Sequence, residues 1–341
     1  MKKIISIILV CIFTLSLTGC GLLFGRDYYE FSYSSGDEYS VGNTKVDNAS
    51  SLKTSHISWY SGNITIETHK ESSLIIEETT VGVNDDEHRV HYRYQPATSY
   101  GDVLFIEFGK SGVKDYDGMQ KDLKITVPEN DDYYIGVTSH SANVTINTSE
   151  YENTLEKLSI TTKYGAVHAK IYNAGTVQIA GYNDDKGAPE NRIYELTAIG
   201  SISSLGINSS YAKLIVKADR IYSIDHFGSV FNETHLTVNK AGTINALVTS
   251  SETHITVNEF SSINIKGREK PIYITVPKDS QFTLDITREK AYESEKDNVS
   301  EVVEIELDNV EKISDTKYVV GGGKKSIKIT TYNAIYISSA K

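Results

Sequence analysis

From Val46 to the C-terminus, apolar and polar residues alternate in short runs such as NITIET, LKITV, NVTINT, LSITT, HLTVN, HITVN, YITVP and IKITT. A period of two sends successive side chains to opposite faces of a strand, so each run predicts a strand with one buried and one solvated face. Gly, Asn, Asp and Ser lie between the runs, where turns are needed. No long amphipathic helix is legible; only ENTLEKL and REKAYESEKD have the composition for short helical turns. The pattern predicts an all-β chain.

One stretch repeats itself. ETHLTVN begins at Glu233 and ETHITVN at Glu252, and a looser YITVP places Tyr273 where the first two copies have His235 and His254. The interval is nineteen residues. With Leu236 and Val238 inward, the next copies supply Ile255 with Val257 and Ile274 with Val276. The second strand of each unit keeps the same register: Ile244, Ile263 and Phe282 form one column, Ala246, Ile265 and Leu284 another. A unit of about twenty residues is too small to own a core, so it must stack on its neighbours. The fold expected is an irregular parallel β-solenoid, each coil displaced by roughly 4.8 Å. Looser units extend the pattern upstream to YIGVTSHSANVTI and downstream to SIKITTYNAIYIS. The segment 46–127 reads instead as hairpins, HISWYSGNITIETH among them, and is expected to be an antiparallel cap on one solenoid end. The coils then occupy 128–341, and 46–341 is a single domain.

The first nineteen residues are addressing information. Lys2 and Lys3 precede an apolar run, Ile4 to Leu17, that is too short for an ordinary span and has the form of a signal peptide. It ends in Leu17-Thr18-Gly19-Cys20, which resembles the lipobox of bacterial lipoproteins; the resemblance implies cleavage before Cys20 and a lipid, palmitate among its acyl chains, on that cysteine. Residues 20–45 mix Gly, Ser, Tyr and acids without periodicity, as a tether does. Cys11 leaves with the signal and Cys20 carries the lipid, so the mature chain has no disulfide and no thiolate ligand. Removing residues 1–19 takes away two lysines and no acid, moving the formal charge from −11 to −13. That balance argues against a nucleic-acid partner and leaves membrane attachment to the anchor. The expected location is the outer face of a bacterial cell membrane.

Three motifs carry a family resemblance: Ser61-Gly62-Asn63-Ile64-Thr65-Ile66, Ile125-Thr126-Val127-Pro128, and Thr162-Lys163-Tyr164-Gly165-Ala166-Val167, with a closing strand pair from Ile327 to Ile337. Together they resemble the "putative adhesin" family of bacterial surface proteins, over roughly residues 46–341. The resemblance implies a β-solenoid on the cell surface and names no activity. Phe260-Ser261-Ser262 and Tyr332-Asn333-Ala334 depart from it, standing where the family has a turn glycine.

One group of outward residues carries candidate chemistry. Glu233 and His235 share an outward face, and Glu252 with His254 would stack on them in a grid with edges of about 5 to 7 Å. Two imidazoles and two carboxylates are ligands for Zn²⁺ or a similar ion; the plainer reading is a solvated polar ladder copied with the repeat. His88 and His91 are three apart, a helical spacing in strand-like surroundings. The Asn-Asp-Asp triplets at Asn84, Asn130 and Asn183 fit turns better than calcium loops. FGKSG, from Phe108, has Leu104 where a P-loop needs glycine, and no G-x-S-x-G elbow exists. No cofactor is expected. Of 23 tyrosines, pairs such as Tyr92 with Tyr94 and Tyr133 with Tyr134 are candidates for an outward aromatic face, whereas tryptophan occurs once, at Trp59.

These readings lead to a non-enzymatic surface lipoprotein for recognition, adhesion or envelope scaffolding, whose partner is a cell-wall, glycan or host-surface ligand. The alternative is an envelope-stress or cargo-binding module that senses ions, peptides or pH through the His/Glu ladder. A polysaccharide-acting β-helix enzyme stands third, because it would need clustered carboxylates that the regular units lack.

Overall fold

The alternating runs are strands, and their partners follow from register. The computed structural model describes residues 33–340 except 81–84, 97–100, 114–117, 182–191, 230–231 and 291–299. The leader and Cys20 lie outside the described residues, as do Asn84 and Asn183. Among the described residues there is one short 3₁₀ turn, Gly36–Glu38, and no α-helix. No helix there is long and apolar enough to cross a membrane. The fold is all-β.

In chain order the first strands are β1 (Ser40–Val41), β2 (Thr44–Val46), β3 (Leu52–Trp59), β4 (Gly62–His69), β5 (Leu74–Thr80), β6 (His91–Gln95), β7 (Asp102–Glu107) and β8 (Lys121–Pro128). The middle holds β9 (Tyr133–Ser139), β10 (Asn143–Asn147), β11 (Thr154–Thr162), β12 (Val167–Ile171), β13 (Asn173–Gly181) and four long strands. These are β14 (Ile193–Ser209), β15 (Lys213–Ser229), β16 (Thr234–Val248) and β17 (Thr253–Gly267). Last come β18 (Ile272–Val276), β19 (Phe282–Arg288), β20 (Val303–Glu306), β21 (Val310–Ser314), β22 (Lys317–Val320), β23 (Lys325–Thr331) and β24 (Ile335–Ser339).

Pairing organises these strands into two ladders. The first runs β2–β5–β8–β4–β10–β12–β14 and the second β1–β6–β7–β3–β9–β11–β13–β14. Both enter β14, whose N-terminal half pairs with β12 and whose C-terminal half pairs with β13. The long strands β14 to β17 continue both ladders in parallel. Their register skips Asp219, Asn239 and Asn258. The skipped side chains bond to one another: Asn239 donates to Asp219 at 2.8 Å and Asn258 to Asn239 at 3.1 Å. Amides there satisfy polar groups that the strand pairing passes over.

The inward columns of the repeat are confirmed where β16 meets β17. Leu236 opposes Ile255, Val238 opposes Val257, Ile244 opposes Ile263 and Ala246 opposes Ile265, and all are buried. Ile255 opposes Ile274 on β18 in turn. The third copy departs from expectation in its second strand. Ile263 and Ile265 face Ile327 and Ile329 of β23, and β19 pairs with the far side of that strand. Strand β23 thus lies between two copies of the repeat, so Phe282 is not the neighbour of Ile263. Likewise β24 lies between β18 and β20. Each buried Ile, Leu or Val side chain contributes about 1.5–3 kcal/mol. These columns join those of the N-terminal strands in one hydrophobic core.

The 46–127 segment is only partly hairpin-like. β6 and β7 form an antiparallel hairpin as read. β3 and β4, expected to pair with each other, instead lie parallel to β7 and β9 and to β8 and β10 respectively. Two consecutive strands joined by Tyr60-Ser61 serve different ladders, as the two halves of β14 do. Gly62, at φ 94°, makes this step possible, because a Cβ there would strike the Lys121 backbone. ENTLEKL also corrects toward strand, since Thr154–Leu158 open β11.

Charge is buried beneath these N-terminal strands. Lys121 is fully buried with Nζ 2.6 Å from Glu78 Oε1; it donates to the carbonyls of His88, at 2.7 Å, and Phe108. Its ammonium also lies over the Phe108 and Trp59 rings, 4.1 and 4.9 Å from their centroids. Burial draws its pKa down to about 8, against the pull of Glu78. Nearby, Glu107 opposes His91 across the β6–β7 pair. Burial pushes the Glu107 carboxyl up to about 8, with a Ser58 hydrogen bond acting the other way. Between pH 4.5 and 8 the folded chain therefore holds a proton that the unfolded chain releases, and stability falls as pH rises through that window. Glu107→Gln should remove this dependence. In urea unfolding at pH 5 and pH 8, the wild type should lose about 2–5 kcal/mol more than the variant across the interval.

Candidate functional site

In-register parallel strands place like side chains one above another, about 4.8 Å apart. On the outer side of the first ladder this produces a row of rings. His235 and His254 stack with centroids 4.7 Å apart and planes 5° from parallel; His254 and Tyr273 follow at 4.6 Å and 6°. Tyr273 then stacks on Tyr336 at 5.0 Å and 11°. Four rings from β16, β17, β18 and β24 form one continuous ladder, each partly exposed. Its last member comes from the C-terminal segment that slots in beside the repeat.

Each histidine has its own carboxylate. His235 Nε2 lies 3.1 Å from Glu233, and His254 Nε2 lies 2.8 Å from Glu252. Glu233 also meets Lys213, and Lys213 with His235 holds its carboxylate below the usual range. Tyr273 is shifted up, by partial burial and then by Glu252 and Tyr336. The stack therefore covers ring faces and leaves ring edges on the outer side. A hydroxyl column runs beside it, Thr237, Thr256, Thr275 and Ser338, in the same register.

The four residues predicted as a metal grid are thus brought together, in a different geometry. Near-parallel rings aim their nitrogens side by side, each toward the glutamate of its own strand. Among the described residues no group of three or more His, Cys, Asp or Glu side chains converges as a metal shell. His88 and His91 separate: His88 Nδ1 pairs with Asp85 at 2.6 Å, and the buried His91 lies 2.9 Å from the Asp86 carbonyl. Asn130 bridges the Ser50 and Leu52 carbonyls, a structural role. Tyr133 is buried against Ser55, contrary to the outward reading, and Tyr92 and Tyr94 pack partly against the core. Trp59 is buried, donating to the Lys121 carbonyl at 3.1 Å.

No protein-family model matches the chain, and no curated protein matches it. Among solved structures it is similar to a "putative cell adhesion protein" from Clostridium sporogenes, with 11% identity, a TM-score of 0.21, and coverage of 89% of this chain and 100% of that one. A "putative adhesin" from Bacteroides fragilis gives 9% identity and TM-score 0.37 over 88% and 97%. One from Parabacteroides merdae gives 17% and 0.38 over 70% and 90%. The structural neighbours are bacterial proteins bearing the adhesin label. Likenesses this distant bear on neither ligand nor activity.

In the sequence the ring row is signalled by Tyr273, which occupies the His position in the third copy. Tyr336 gave no such sign, because its neighbour depends on strand order. His254→Ala removes the centre of the row and both its ring contacts. It should destabilise the chain by about 1 kcal/mol, with most of the loss restored by His254→Tyr. Thr256→Ala, on the adjoining column, should cost less than about 0.5 kcal/mol in the same urea titration.

Proposed function

We propose that this chain is a non-enzymatic, lipid-anchored protein of the bacterial cell surface. Its strands wind as a β-solenoid, and the outer side of the first ladder recognises a polymeric surface ligand. The row His235–His254–Tyr273–Tyr336 carries this reading. It is a rigid, partly exposed stripe of ring edges, flanked by a hydroxyl column, on strands whose register fixes every spacing. A polymer lying along the stack meets a hydrogen-bonding tip about every 4.8 Å. Rigid aromatic groups give contact area at little entropic cost. The nineteen-residue interval and the parallel pairing of β16 with β17 support the solenoid. The signal-like leader ending at Cys20 supports the anchor.

Two experiments test the halves of this proposal. In bacteria making the full chain, a palmitate analogue should label the wild type and partition it into detergent; Cys20→Ala should abolish both, and labelling that persists would refute the anchor. The soluble chain from Gly21 onward should bind saturably to the organism's own purified wall or to host matrix proteins, relative to a blocked blank. Tyr273→Ser/Tyr336→Ser should weaken that binding at least tenfold while leaving the circular dichroism unchanged. Equal binding by the double variant would remove the ring row from the mechanism.

A further inference from the structure

The two ends of the ladders differ. At the N-terminal end the outermost strands, β1 and β2, are two and three residues long, a common way to blunt an edge. At the other end the first ladder stops at β20, which is registered with β24 on one side and with no described strand on the other. Beside it β21 ends the second ladder, exposed throughout. This edge is both apolar and acidic. Val303, Ile305 and Leu307 are half-buried against the core, and Val302 is 41% exposed. The alternate residues Glu304 and Glu306 are exposed, and among the described residues no cationic side chain pairs with either. Residues 300–316 hold six acids and one lysine, and that lysine, Lys312, is held by Asp315 at 2.8 Å.

We propose that β20 is a strand-addition site for an extended polypeptide in which aliphatic residues alternate with Lys or Arg. An unpaired edge offers backbone N–H and C=O groups to another strand, and cross-strand neighbours share a face. The aliphatic half of the incoming strand covers Val303, Ile305 and Leu307, completing the end of the core. Its basic half, spaced two residues apart, meets Glu304 and Glu306. A second copy of β20 does not fit, because it would set glutamate against glutamate at strand-pair distance. The site does not rest on the ring row being a ligand face.

The test uses the full chain in detergent and a synthetic peptide, Val-Lys-Ile-Lys-Val-Lys-Ile, immobilised for biolayer interferometry. Saturable binding that weakens with salt is expected. A peptide with proline in place of its second valine, which keeps all three lysines, should bind at least tenfold more weakly, because the added strand loses a ladder hydrogen bond. Glu304→Lys/Glu306→Lys, two exposed changes checked by circular dichroism, should lose the basic peptide at least tenfold and gain its glutamate counterpart. Equal binding of the proline peptide would reduce the contact to nonspecific charge attraction and overturn the proposal. So would binding unaffected by charge reversal, or self-association through this edge, seen in sedimentation as a concentration dependence that Ile305→Pro abolishes.

Discussion

The hydrogen-bonded register between neighbouring parallel strands is the constraint from which the rest follows. Once Leu236 opposes Ile255, the alternation of the backbone determines the faces from Thr234 to Val238 and of the residues opposite them, and the same pairing carries the parity changes at Ala241 and Ile244 into Phe260 and Ile263. Inside, this stacks Ile on Ile and Val on Val, which fills the core without demanding varied shapes. Outside, it stacks His on His, Thr on Thr and Asn on Asn, whether or not such neighbours are favourable. A shift of one residue would bury His254 and expose Ile255, so the apolar columns and the ring row enforce the same register.

Repetition made one part of this legible. The nineteen-residue interval identified the inward columns of β16 and β17 correctly because a copied unit states its own register. What alternation cannot state is which strand lies next. Counting places Phe282 beside Ile263, yet β23 fills that place with Ile327. The exchange leaves the burial parity unchanged: an inward Ile meets an inward Ile either way. The same ambiguity misled the reading of β3 and β4, because Tyr60-Ser61-Gly62 resembles a hairpin turn and instead carries the chain from one ladder to the other. Tyr133 was misplaced for a related reason, since two adjacent tyrosines do not reveal which of them is inside until Ser55 is found opposite.

Stacking also decides what the outward residues can do. Glu233, His235, Glu252 and His254 have the donor set of a metal site, but the register that brings them close holds the imidazoles parallel and gives each its own carboxylate. A coordination shell requires convergence toward a point, whereas a ladder supplies translation along a line. Translation suits a partner that is itself extended.

The same translation must stop somewhere, and its ends are where a stacked fold is chemically exposed. Inserting β23 and β24 among earlier strands ties the C-terminus into the core, but it leaves β20 and β21, from the intervening segment, outermost. Two opposed demands then meet on β20. Its apolar half extends the core columns, as Ile305 continues from Ile337. Its charged half must keep identical edges from joining, which Glu304 and Glu306 do by repulsion. Repulsion of that kind selects by sign: it rejects another copy while leaving the backbone edge open to a strand of opposite charge. An edge protected by charge therefore differs from one protected by shortness, as at β1 and β2, because only the charged edge specifies the chemistry of what could still bind there.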